Sequence, residues 1–152
     1  MTTEIGRVPT PFGDIFPHVS PCKDDFPNIV TDHNAAGQIV KLQEPAMRAY
    51  HEAERLNGRK LPWKKKRIPK PIRITGIGFR SCADQTDLYV HSSPPGRFAP
   101  PDSSRHCNGL AIDVYNDTTN LNTRTKRCLI KVGFSFPVSG EPWHACYGPN
   151  PG

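Results

Sequence analysis

Residues 103–116 read SSRHCNGLAIDVYN, and this stretch decides how the rest of the chain is to be taken. Leu110, Ile112 and Val114 alternate with Ala111, Asp113 and Tyr115, the period of a β-strand. His106 and Asp113 have six residues between them, too many for one helix face. A tight turn followed by a strand would bring the two side chains together, and Gly109 permits such a turn. Histidine is the commonest protein ligand for metals, and a carboxylate is a good hard partner for zinc. Taken alone, the pair reads first as a capping histidine and a salt-bridged aspartate.

The end of the chain supplies a partner for this stretch. Gly140-Glu141-Pro142-Trp143-His144 offers a second histidine with a glutamate three residues before it. A catalytic zinc site needs three protein ligands and an open position. His106, Asp113 and His144 would provide the three, leaving Glu141 free to accept a proton. By itself Glu-Pro-Trp-His also fits a turn with a structural tryptophan, so it is the pairing of the two segments that favours a metal. No H-E-x-x-H and no H-x-H pattern occurs in the chain.

Composition bounds the alternatives. A chain of 152 residues can bury a real core as one domain. Seventeen prolines and twelve glycines imply many turns and few long helices. A mean hydropathy of −0.57 fits a soluble globular protein with generous loops. No stretch approaches the length of a membrane span. The first residues lack the basic start and apolar core of an export signal, so synthesis in the cytoplasm is expected. Twenty Lys and Arg against fourteen Asp and Glu give a net charge of +6, which favours encounters with polyanions without choosing among them. The densest basic run, Lys64-Lys65-Lys66-Arg67, reads as a solvated loop between Pro62 and Pro69. The five cysteines, Cys22, Cys82, Cys107, Cys128 and Cys146, show no C-x-x-C spacing. That odd count suggests a reducing compartment of synthesis, with a bridge left open but not indicated by spacing.

Along the chain, residues 1–30 read as a proline-rich extended arm on a single domain covering 1–152. Thr31 or Asp32 caps a short expected helix through Gln43. A second helix begins near Pro45, with Ala46, Ala49, Tyr50, Ala53 and Leu56 at helical spacing and Gly58 as its stop. Ile72, Ile74 and Ile77 suggest a strand, and a short helix is expected from about Cys82 to His91. Residues 92–105 form a long loop, Thr123 to Val132 a helix, and the last strand lies between Phe134 and Tyr147. The fold class is therefore α+β.

Three ordered elements carry a resemblance. Ser104-x-His106-x-x-Gly109-x-Ala111-x-Asp113, then Glu141-Pro142-Trp143-His144, preceded by Gly78-Phe79-Arg80-Ser81-x-x-x-Gln85, are similar to the zinc D-alanyl-D-alanine carboxypeptidase family. That family includes vancomycin-resistance carboxypeptidases and phage cell-wall lysins, and the matching elements span residues 78–147. The resemblance implies the Hedgehog/D,D-peptidase fold, a small antiparallel sheet carrying zinc with helices packed against it. It implies His106, Asp113 and His144 as zinc ligands, Glu141 as catalytic base, and Arg80 as the residue stabilising the tetrahedral intermediate. Ser81 and Gln85 match positions that support Arg80 or bind substrate, and Ser104 and Trp143 fall at the substrate site. For Trp143, core packing is an equal reading.

Two departures bear on pocket shape. Gly78 stands where the family commonly has serine, and Ala145-Cys146 replaces an aromatic and an arginine. The resemblance implies peptidoglycan stem peptides as substrates of a monomeric enzyme acting at the bacterial cell wall, in the manner of a D,D-carboxypeptidase or a phage endolysin. Anionic wall polymers are a further partner suggested by charge, and no nucleic-acid partner is expected. The alternatives are an L-alanyl-D-glutamate endopeptidase of the same fold and a non-catalytic zinc-containing binding domain. A nucleic-acid-binding reading of the charge leaves the ordered zinc pattern unexplained.

Overall fold

In the computed structural model the described residues are 7–16, 28–60, 63, 67–92, 104–114, 123–137 and 141–148. Lys64-Lys65-Lys66 and most of the long loop before Ser104 lie outside them. Among the described residues, three helices surround small antiparallel sheets in an α+β fold.

Within residues 7–16 the chain already reaches the core. Val8 pairs with Ile15 across a turn at Thr10–Gly13, and Ile15 is fully buried. β1 (Ile29–His33) and β2 (Ile39–Gln43) then form an antiparallel hairpin where the sequence suggested a helix. Val40 and Leu42 are buried while Ile39 is exposed, a period of two, and Asn34 organises the turn by accepting from the amides of Ala36 and Gln38.

α1 (Glu44–Asn57) starts with proline in its first turn and buries Ala46, Met47, Ala49, Tyr50 and Ala53 on one face, as the helical spacing predicts. Its buried Glu54 accepts hydrogen bonds from the amides of Ala35 and Ile72, so this charge is spent on holding two loops. A small hairpin, β3 (Arg59–Lys60) with β4 (Arg67–Ile68), follows. The strand expected around Ile72 to Ile77 shortens to β5 (Ile74–Thr75). Ile72 and Ile74 are buried, but Ile77 is 43% exposed.

α2 (Cys82–His91) lies where expected and is capped by Ser81, whose hydroxyl accepts from the Asp84 amide at 3.0 Å. β6 (Ala111–Val114) is followed by α3 (Thr123–Lys131), which packs on α1. The terminal segment divides into two strands, β7 (Phe134–Ser135) and β8 (His144–Tyr147). The main sheet has the order β5-β6-β8-β7 and is antiparallel throughout. Ile112, Val114, Ala145 and Tyr147 all belong to the apolar core beneath this sheet, so the alternate residues, Asp113, His144 and Cys146, stand on its opposite face.

The cysteines correct one expectation. Cys82 is disulfide-bonded, although the spacing indicated no bridge, while Cys107, Cys128 and Cys146 are not in disulfides. Spacing is a poor guide here because a disulfide requires only that two chain segments meet in space.

Candidate metal centre

The site is built by strand register and one turn. Asp113 on β6 lies directly opposite His144 on β8, the position at which cross-strand side chains meet. His106 arrives from the other side of the same surface, in a 3-10 turn (His106–Asn108) just ahead of β6. Gly109 ends that turn in the left-handed region at φ 71°, and a Cβ there would meet Ile29 Cδ1 at 2.2 Å. Gln43 locks the turn onto β2. Its backbone amide donates to the Gly109 carbonyl at 2.8 Å, and its fully buried side chain donates to the Asn108 carbonyl at 2.8 Å.

The three side chains converge on one point. His106 Nε2 lies 3.3 Å from Asp113 Oδ1, and His144 Nδ1 lies 3.2 Å from the same oxygen. The three ligand atoms all fall within 4.8 Å of one another. Tetrahedral zinc with bonds of about 2.0–2.1 Å separates adjacent ligand atoms by roughly 3.3–3.4 Å, close to both of these short distances.

Hydrogen bonding points the same way. His106 Nδ1 donates to the Gly78 carbonyl at 2.9 Å, since a carbonyl can only accept. With its Nδ1 proton placed there, a neutral ring would turn the Nε2 lone pair toward a carboxylate oxygen. Two acceptors facing each other at this distance call for a proton or a cation between them. Two imidazole nitrogens and one carboxylate oxygen therefore form a set that fits zinc, with a coordination position left over.

The electrostatics reinforce this. Burial resists ionisation of Asp113, but hydrogen bonds and charge from His106 and His144 overcome it and hold the carboxyl well below the usual range. Burial likewise disfavours a charged His144, yet Asp113 and Cys146 push the ring up to about 10. In the metal-free protein the carboxylate thus attracts positive charge strongly.

Around this trio, Arg80 places Nη2 3.8 Å from Asp113 Oδ2. Its Nη1 donates to Gln85 Oε1 at 2.7 Å, and Gln85 is buried in α2. The Arg80 amide donates to the His106 carbonyl at 3.0 Å, tying this segment to the ligand turn. A cleft of about 500 Å³ opens beside Arg80, lined by Asp84, Asp87, Leu88, His91 and Ser92 as well.

The other sequence-derived residues divide. Ser81 caps α2, and Ser104 is buried with its carbonyl accepting from the Cys107 amide. The Glu141 carbonyl accepts from the His144 amide, which sets this residue one tight turn before the ligand. Trp143 is 38% exposed and its carbonyl accepts from Val114, so it lies outside the core.

Three supporting residues had no role assigned from the sequence. Gly78 adopts φ 96°, and a Cβ there would press on the Lys41 carbonyl at 2.7 Å. That close approach explains glycine in place of serine, because the flanking Ile77 and Phe79 exchange hydrogen bonds with Lys41 while the Gly78 carbonyl holds His106. Gln43 acts through its backbone amide and its buried carboxamide, and Cys146 acts across the sheet face. None of the three has a sequence signal of its own, although the departures at 78 and 146 marked two of the positions.

Comparison with solved structures places the fold. The vancomycin-resistance D,D-dipeptidase VanXYg, in complex with a D-Ala-D-Ala phosphinate analogue, is similar over 85% of this chain at 19% identity, with a TM-score of 0.52. The chain spans 59% of the length of that structure. VanYB in complex with D-alanine-D-alanine aligns over 86% of this chain and 83% of its own, at 19% identity and a TM-score of 0.49. A glutamate-to-alanine variant of the vancomycin-resistance D,D-pentapeptidase VanY, in complex with Zn(II), aligns over 86% and 82% at 20% identity and a TM-score of 0.47. No protein-family model and no curated protein matches the chain.

Proposed function

We propose that the protein is a zinc-dependent peptidase that hydrolyses the peptide stems of bacterial peptidoglycan, acting on termini of the D-Ala-D-Ala type. The observation that carries this reading is the trio itself: two imidazoles and a carboxylate on one sheet face, with an arginine aimed at the same carboxylate beside an open cleft. The D-Ala-D-Ala class of substrate enters from the VanXYg likeness together with the ordered sequence elements.

His106, Asp113 and His144 would hold the metal. Zinc, when bound, supplies a water acidified to about pKa 7 and polarises the scissile carbonyl. Arg80, steadied by Gln85, donates to the oxygen that gains charge as the amide carbon becomes tetrahedral. Glu141 takes the proton from the attacking water and passes it to the leaving amine. Ser81 serves this step by capping the helix that carries Gln85, while Ser104 and Trp143 border the substrate. A purely structural metal has no use for Glu141 or Arg80, which favours the enzyme over a binding domain. The net charge of +6 suits an endolysin-like protein meeting an anionic wall, and it acts there as one domain and as a monomer.

Mass spectrometry of a defined stem pentapeptide tests this reading. Loss of one terminal D-alanine is expected from the wild-type protein and not from Glu141→Gln, with zinc still bound to the variant. A new amino-terminal D-glutamate would instead assign the endopeptidase activity. Equal product from wild type and Glu141→Gln would remove the glutamate from the mechanism.

A further inference from the structure

The second imidazole of the trio has a partner that the chemistry above does not use. His144 turns Nδ1 toward Asp113 Oδ1 at 3.2 Å, and its other nitrogen, Nε2, lies 3.2 Å from Cys146 Sγ. The contact is built by the strand. Cys146 is two residues beyond His144 on β8, so both side chains stand on the same sheet face. Pairing with Ala111 on β6 and Ser135 on β7 fixes the cysteine from both sides, and it is only 4% exposed.

An imidazole can offer Nδ1 to a metal only when its proton resides on Nε2, and that proton needs an acceptor. For His106 the equivalent acceptor is the Gly78 carbonyl. For His144 the atom in reach is the Cys146 sulfur, which can accept, though weakly.

We propose that Cys146 is the positioning residue of the metal centre, its sulfur accepting the Nε2 proton of His144 and so fixing the tautomer and ring angle that present Nδ1 to the ion. This rests on the reading of the trio as a zinc site. The sulfur touches neither substrate nor metal in this role.

Zinc affinity, measured by competition with a chromophoric chelator, tests the proposal in the full chain. Cys146→Ala is expected to bind zinc about 10–100-fold more weakly, the usual loss when a supporting partner of a ligand is removed. Cys146→Ser keeps most of the affinity, because its hydroxyl can take the same proton. Metal-free melting temperatures read alongside separate this from a packing defect, which would lower stability in proportion. A long-range proton–nitrogen spectrum of the zinc-loaded wild type reads the tautomer directly, with Nε2 of His144 carrying the proton. Equal affinity in Cys146→Ala, or a proton on Nδ1, would overturn the proposal while leaving the zinc reading intact. A wild-type protein that bound no zinc would overturn both.

Discussion

At the scale of single residues, the chemistry of the site depends on side chains that differ in what they can replace. Arg80 offers a planar fork, with one nitrogen on Gln85 and another turned toward Asp113. Lysine would bring a point charge that cannot serve both directions. Arg80→Lys is therefore expected to lower kcat by about 10²–10³, the usual cost of losing one oxyanion donor, with zinc affinity little changed. Steady-state kinetics beside a metal titration check this, and an unchanged kcat would dismiss the role. The candidate ligands His106, Asp113 and His144 were legible in the sequence because a histidine or aspartate advertises its chemistry by identity. Gly78 was not, since it acts through a carbonyl that every residue possesses, and Gln43 was not, since its carboxamide serves the turn only through contacts made in the fold. Their importance appears only when the distance from Gly78 to His106 and the burial of Gln43 are known.

At the scale of elements, the turn before β6 carries the greatest constraint. Gly109→Ala would put a methyl on Ile29 and force a left-handed backbone on alanine. A non-glycine residue there costs roughly 1–3 kcal/mol before any clash. The variant should melt at lower temperature and bind zinc more weakly, because the same turn carries His106. Normal affinity in Gly109→Ala would show that His106 is held independently of the turn.

α1 offers a pH test remote from the site. His51 lies 3.7 Å from Glu54 and 3.0 Å from Asp32, and these partners raise its pKa above 6.5, with Glu54 contributing most and burial opposing. A raised histidine stabilises the fold fully below its unfolded value and loses that contribution as pH rises through the folded one. The melting temperature of wild type should thus exceed that of His51→Gln at pH below 6.5, and the gap should close as pH rises through the raised folded value. The effect is modest because the ring is 38% exposed. A gap that widened with pH would reverse the assignment.

Element boundaries show where sequence reading succeeds. α1 and α2 were legible because helical spacing, a first-turn proline and a serine cap act locally. The β1–β2 hairpin was not. Only β2 buries apolar side chains, Val40 and Leu42, and the Asn34 turn that joins the strands depends on contacts with Tyr50 and Ile72.

At the scale of the whole molecule, the site is a product of topology. β5, β6, β8 and β7 form one sheet whose lower face belongs to the core and whose upper face carries Asp113, His144 and Cys146. Segments far apart in sequence meet there because β8 returns antiparallel to β6 in a register that pairs Asp113 with His144. The sequence order of the three elements made this architecture legible, while the register and the Cys82 bridge required the structure. Among the described residues, no helix is long and apolar enough to cross a membrane.

The account stands on the claim that this sheet face holds a catalytic zinc. The direct measurement is hydrolysis of a stem pentapeptide ending in D-Ala-D-Ala as zinc is titrated into metal-free protein. Activity should rise from zero to a plateau at one equivalent and stay at zero in Asp113→Asn. A protein that bound one zinc through these residues and released no product from any stem peptide would contradict the claim.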